Sequence, residues 1–466
     1  MMVRMESRWY NIRANITVFL VIVIFIINSS AQFLLYSNQE VVAIALGQTL
    51  ADIRWMIGAS LLTSASTMIF WGYLGDKYSK KYVLIVSSII WIAASYYIFF
   101  VTTFGGLFLG EILFGLGFGA VWPICYSLLG DIVKPESRGK TFSIVGLSLG
   151  LGLVIGLFLG SMFQSFWQYP FLIVSICGTI VVFIFFLVGT DLKRGGAEHE
   201  LKSVLDEGAI YHYEISREHL KKIWKKPTNI NLFVQGIPGM IPWAVLLIIV
   251  PIYFQTLGFD ANTANLIAIL SQGTNVAGSI FAGWYADRLA VRSQQKRLLY
   301  ISLSILIAIP FFIGAFLLPY PTVPAGSGFD VFWGTALYPI GFILISIGSF
   351  FAPAAGVNWY AVIEDVNEPE VRSTIISFHA LTDRIGNAIG PGLAAGLSVF
   401  FANLFGPQWG DPWALIIASL FWIPCAFFWL LSMKYIDKDV GEMKDLLKQR
   451  AKELEQNLER TNTSPI

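Results

Sequence analysis

Three charged residues stand in stretches otherwise apolar: Glu111 in "LFLGEILFGLG", and Asp383 with Arg384 in "HALTDRIGNAIG". On an insertion scale each costs about 2.5 to 3.5 kcal/mol near the centre of a bilayer, so they should face protein or a cavity rather than lipid. Arg384 can neutralise only one of the two carboxylates, and its nearest candidate is Asp383 or a group across a helix contact. The other needs a proton, a cation or a positively charged substrate group. Glu111 lies about seven residues inside the fourth helix from its outer end, hence about 10 Å deep at 1.5 Å per residue, and it is the candidate protonation site. Arg384 would then be structural or would bind an anionic substrate. Further polar residues join them: Asn28 and Gln32 four apart, Gln235 and Trp243 in a later run, and His379 and Asn387, which flank Asp383 at i, i+4 and i+8. This set can bind a solute and move a proton. No H-E-x-x-H, G-x-S-x-G or Cys/His cluster accompanies it, and the glycine-rich "GLSLGLGLVIG" lacks the Lys-Ser/Thr of a phosphate loop, so no enzyme centre, metal or cofactor is expected.

The elements that must position these groups are apolar runs. The 466 residues are 56% hydrophobic and 13% charged, a composition that cannot cover a core with polar surface in water. Twelve runs have the length of about 20 residues that spans hydrocarbon. Six lie near Ile16–Tyr36, Met56–Tyr73, Tyr82–Thr102, Gly106–Leu129, Phe142–Phe163 and Phe171–Val188. Six more follow a polar gap, near Asn231–Phe254, Ala264–Trp284, Leu298–Leu318, Phe332–Ala352, Ile375–Phe401 and Ala414–Met433. If all twelve span, 29 of the 31 Lys and Arg residues fall on one side, Arg54 and Arg384 being the exceptions. The positive-inside rule makes that side, with both termini, cytoplasmic. A net charge of +1 gives no case for nucleic acid; the partner implied is the lipid bilayer. Cys125, Cys177 and Cys425 each sit inside a run and read as packing residues.

Two charged turns are written twice. "GDIVKPESRGKTF" from Gly130 returns as "EDVNEPEVRSTIISF" from Glu364, so that Asp131, Glu136 and Arg138 match Asp365, Glu370 and Arg372, each 234 positions later. "GYLGDKYSKK" from Gly72 returns as "GWYADRLAVR" from Gly283, matching Gly72, Asp76 and Lys77 to Gly283, Asp287 and Arg288, each 211 positions later. Repeated six-helix halves are what a transporter uses to rock one bundle against another around a central site.

These motifs, G-x-L-x-D-[RK] after the second run and D-x-x-x-P-E-x-R after the fourth and tenth, resemble those of the major facilitator superfamily. GYLGD and the long central loop are similar to spinster-like members, whose Gly-Glu-Ala in the fourth helix is replaced here by Gly117, Phe118 and Gly119. The resemblance implies an all-α membrane fold of twelve helices in two pseudosymmetric bundles. It implies that Asp76 holds the second helix against the start of the eleventh, and by pseudosymmetry that Asp287 faces the start of the fifth. Helices 1, 4, 7 and 10 would line the cavity. The expected organisation is 1–190 as the first bundle, 191–229 as a linker with an amphipathic helix in "ISREHLKKIWKK", 230–433 as the second bundle and 434–466 as a tail helix striped with Val440, Leu447, Ala451, Leu454 and Leu458. Function then reads as secondary transport of a small organic solute by alternating access, with a proton as the candidate coupling ion, in a monomer. A facilitative uniporter or an exporter of an amphipathic solute has the same sequence class; a non-transporting sensor or scaffold is the alternative from another class.

Overall fold

In hydrocarbon every backbone N–H and C=O must be paired within its own segment, so each apolar run becomes a helix. The computed structural model describes residues 2–36, 38–190 and 193–463. The side chains of Arg4, Arg8 and Arg217, which enter the basic count, lie outside the described residues. The first bundle holds α1 (Met2–Phe33), a short α2 (Gln39–Ala45), α3 (Leu50–Lys77), α4 (Lys80–Phe99), α5 (Phe104–Gly130), α6 (Arg138–Met162) and α7 (Tyr169–Val188). The linker carries α8 (His199–Asp206) and α9 (Arg217–Ile223). The second bundle holds α10 (Pro227–Thr256), α11 (Ala261–Arg292), α12 (Gln294–Leu317), α13 (Leu337–Phe351), α14 (Ala354–Val366), α15 (Arg372–Phe405), α16 (Gly410–Leu420) and α17 (Trp422–Ser432), and α18 (Ile436–Thr463) follows it.

Among the described residues, twelve spans are long and apolar enough to cross a membrane. Two are broken: the tenth at Pro353 into α13 and α14, and the twelfth at Phe421, shortly before Pro424, into α16 and α17. A proline supplies no N–H and crowds the preceding turn, which accounts for both breaks. Close approach of α1 and α6 depends on glycine: a Cβ on Gly152 would lie 2.4 Å from the Ser29 Cβ, and one on Gly156 2.4 Å from the Ser30 carbonyl oxygen. Such contacts are how helices associate where water supplies no driving force.

The linker and tail form a small core of their own. Leu201, Val204 and Leu205 on α8 pack with Met443, Leu447 and Leu454 on α18. The apolar stripe of the tail therefore finds a protein partner. In α9, Ile223 is buried and the neighbouring Trp224 meets the rings of Phe233 and Phe378 at 5.2 Å, so this amphipathic face also packs on protein.

Candidate functional site

The four repeated turns meet on the basic face. Asp76 lies in the last turn of α3, and its two carboxylate oxygens accept the Ser373 and Thr374 N–H groups at 2.9 and 2.7 Å. Asp287 near the end of α11 accepts those of Gly139 and Lys140, both at 2.9 Å. The free N–H groups and partial positive charge of a helix start suit a carboxylate, and each bundle here caps a helix of the other. The glycines of the same motifs permit this. A Cβ on Gly72 would stand 2.6 Å from the Ser373 carbonyl oxygen, and one on Gly283 2.4 Å from that of Gly139.

Beneath the caps lies a buried ionic network. Arg138 donates to Asp365 at 2.7 Å, to Glu198 at 2.5 Å and to the Gly130 carbonyl at 3.1 Å. Its counterpart Arg372 donates to the same Glu198 oxygen at 2.5 Å and to the Glu364 carbonyl at 3.0 Å. Asp131 pairs with Lys80 at 2.5 Å and Asp365 with Arg297 at 2.8 Å, so each of these corresponding aspartates meets a basic residue in the first turn of a helix, α4 or α12. Among the differences between the repeats, Glu364 stands where the first half has Gly130, and its carboxylate lies 3.2 Å from Arg138. Glu198, from the linker, bridges both arginines. Burial alone would raise its pKa, but the two guanidiniums outweigh that and hold it down at about 2. Glu136 and Glu370 stand outside this centre: Glu136 meets His199 at 2.6 Å, while Glu370 meets Arg450 of the tail at 2.7 Å and Tyr211 at 2.8 Å. Lys77 and Arg288 make ring contacts, with Tyr73 and Tyr78 and with Trp284.

Moving along α5 away from the network, the side chains become aromatic and then acidic. Tyr126 packs at a tilt on Tyr360 of α14 with centroids 4.5 Å apart, and Trp122 packs on both. Phe118 lies 5.8 Å from the Arg384 guanidinium. Glu111 is 8% exposed and lines a cavity of about 10 Å³ with Gln32, Tyr36, Ser60 and Ser64, room for about one water. By helical rise Glu111 and Asp131 are separated by about 30 Å. Asp383 accepts the Tyr360 hydroxyl at 3.0 Å, and its other oxygen is buried without a hydrogen bond among the described residues. Arg384 forms no ion pair with Asp383; its described contact is the Phe118 face.

A relationship of sequence accompanies this geometry. The profile of the Major Facilitator Superfamily matches residues 18–346. The chain belongs to that superfamily. Multidrug resistance protein 3 of Bacillus subtilis (strain 168) is 22% identical over 403 residues, 76% of this chain and 75% of the relative. The arabinose-proton symporter of Escherichia coli (strain K12) is 21% identical over 359 residues, 72% of this chain and 74% of the relative. Among solved folds, the superfamily transporter FucP in its outward conformation superposes with a TM-score of 0.67 at 13% identity, covering 90% of this chain and 99% of that one.

In this superfamily member the polar residues read from the sequence separate into two groups. Gln32 and Glu111 line one small cavity, Asp383 meets Tyr360 and Arg384 meets Phe118, and Asn28 is buried in α1 with its Nδ2 unpaired among the described residues. Gln235 and Trp243 turn into the second bundle instead. Gln235 accepts from Cys425 and Trp429 at 3.1 and 3.2 Å, and Trp243 packs on Trp422 with centroids 5.6 Å apart. His379 is buried between Trp359 and Phe233. Sequence reasoning missed Tyr36, Trp122, Tyr126, Tyr360 and Glu198. The first four are aromatics among many; Glu198 sits in a polar linker with no repeat to mark it. Among the described residues, one group could hold a metal ion by spacing, His219 with Glu368 and Glu370, but Arg450 already occupies Glu370 and would repel a cation.

Replacing Asp76 with asparagine should weaken the cap on α15. A carboxylate at a helix start contributes about 0.3 to 2 kcal/mol, enough to tilt a nearly balanced equilibrium. Alkylation of a cysteine placed at Ser377 should quicken from the basic face while insertion is unchanged. Unaltered labelling in Asp76→Asn would remove Asp76 from the seal.

Proposed function

We propose that this protein is a secondary transporter that carries a small organic solute, with a proton, by rocking its bundles (1–190 and 230–433) about the central passage. The observation that carries this reading is the reciprocal capping of α15 by Asp76 and of α6 by Asp287. Those caps join helix ends of opposite bundles and break together when the basic face opens, whereas a scaffold would have no use for them. The arabinose-proton symporter among its relatives supports coupling to a proton. The basic face is cytoplasmic on the loop-charge argument, and both bundles and the seal lie in one chain, so a monomer suffices. Purified protein in vesicles should accumulate its solute when a pH gradient is imposed and should only equilibrate it when the gradient is collapsed. Solute binding without flux would overturn transport, and flux indifferent to the gradient would leave a uniporter. An amphipathic cargo is the second reading, favoured by the Phe118, Trp122, Tyr126 and Tyr360 lining and by the multidrug relative.

Orientation has a direct check. Single cysteines at Gly326 or Gln408, on a cysteine-free background, should react with an impermeant thiol reagent added to intact cells, and one at Ser203 should not. Labelling of Ser203 in sealed cells would reverse the assignment.

A further inference from the structure

A second cavity, of about 420 Å³, lies on the basic face between the α3–α4 turn and the linker. It shares no lining residue with the Glu111 cavity, and Lys77, Lys80, Lys193 and Arg194 line it against Asp131 and Glu214. The balance is less even than four against two. Asp131 is taken up by Lys80 at 2.5 Å and by the Gly195 N–H at 2.9 Å. Lys77, Lys193 and Arg194 form no ion pair among the described residues. Lys77 rests over the Tyr73 and Tyr78 rings at 5.9 and 5.5 Å, Lys193 donates to the Leu205 carbonyl, and Arg194 donates to the Tyr78 carbonyl at 3.4 Å. Carbonyls and rings orient these cations and neutralise none of them. The hydroxyl of Ser79, which also lines the cavity, is buried without a partner among the described residues.

Like charges gathered from two segments repel one another unless an anion sits among them. An ammonium, a guanidinium and a hydroxyl donor together suit a phosphate group, which accepts several charge-assisted hydrogen bonds at once. The cavity is too large for a bare phosphate ion, and Tyr78, Tyr211 and Tyr213 wall the remainder. Basic pockets at this depth, where spans emerge into the basic loops, are also where phosphorylated lipid headgroups are held. We propose that this cavity binds a phosphate-bearing organic anion, a soluble phosphoester or a lipid headgroup, through Lys77, Lys193 and Arg194. One wall belongs to the turn that follows Asp76 and the other to the linker that carries Glu198. Occupancy would therefore hold the linker against the first bundle and favour the sealed state.

The test uses the full chain. Thermal unfolding in detergent is followed against inositol trisphosphate at constant ionic strength, and in phosphatidylcholine nanodiscs with and without phosphatidylinositol bisphosphate. A ligand that binds only the folded protein raises its apparent stability. A saturable rise with the soluble probe assigns a phosphoester, and a rise confined to the phosphorylated lipid assigns a headgroup. In either case Lys193→Gln/Arg194→Gln should raise the half-saturating amount at least about ten-fold, a loss of about 1.4 kcal/mol. The swap Lys193→Arg/Arg194→Lys should restore binding, and Lys221→Gln/Lys222→Gln should leave it intact. No saturable rise with either probe, or a rise that survives in the glutamine pair, overturns the site.

Discussion

Glu198→Gln should unseal the basic face more than any other single change in the linker. Both arginines that share its carboxylate are fully buried. Arg138 would keep Asp365 and Glu364, but Arg372 would be left with the Glu364 carbonyl at 3.0 Å and Asp131 at 4.0 Å. Stranding a buried charge in this way costs about 3 to 5 kcal/mol, against a seal whose caps contribute about 0.3 to 2 kcal/mol each. Alkylation of a cysteine at Ser377 should rise at least about ten-fold in inside-out vesicles, a change of about 1.4 kcal/mol, and the melting temperature should fall. The double variant Glu198→Gln/Arg372→Gln should recover much of both, because the unpaired charge is gone. Equal labelling in the wild type and Glu198→Gln would refute the clamp. Its pH dependence has a definite sign. A carboxylate held at about 2 against an ordinary 4.5 gives stability that is fully present above 4.5 and is lost as pH falls through 2. The clamp is thus constant near neutrality, and a pH profile of transport in that range has its origin elsewhere.

That origin is expected at Glu111. Glu111→Gln should abolish accumulation driven by a pH gradient while exchange of internal for external solute continues. The side chain is buried in α5 and forms no ion pair among the described residues, and the cavity beside it has room for about one water through which a proton could pass. A charge that deep in a span costs about 2.5 to 3.5 kcal/mol, so a proton that neutralises it is energetically tied to the position of the bundles. Glutamine fixes the neutral form and uncouples the two. If Glu111→Gln still accumulates solute with an unshifted pH profile, the proton is carried by Asp383, whose second oxygen lacks a hydrogen bond among the described residues.

The sequence by itself determined the twelve spans, the side on which the positive charge gathers and the two turns written twice. Each is a local or periodic property: a run of apolar residues must become a helix in hydrocarbon, and a repeat is visible without knowing what it touches. The difference in charge between Gly130 and Glu364 was equally open to inspection. Tertiary structure decided which way each polar side chain turns and what it meets. Gln32 and Gln235 look alike as lone amides in apolar runs; one lines the Glu111 cavity and the other is held by Cys425 and Trp429. A buried helix has protein on several sides, so polarity says that a residue avoids lipid but not whether it faces the passage or a neighbour. Glu198 shows the same limit from outside the membrane: its partners lie 60 and 174 residues away, and only the meeting of the two halves makes one linker carboxylate the shared counter-ion of both.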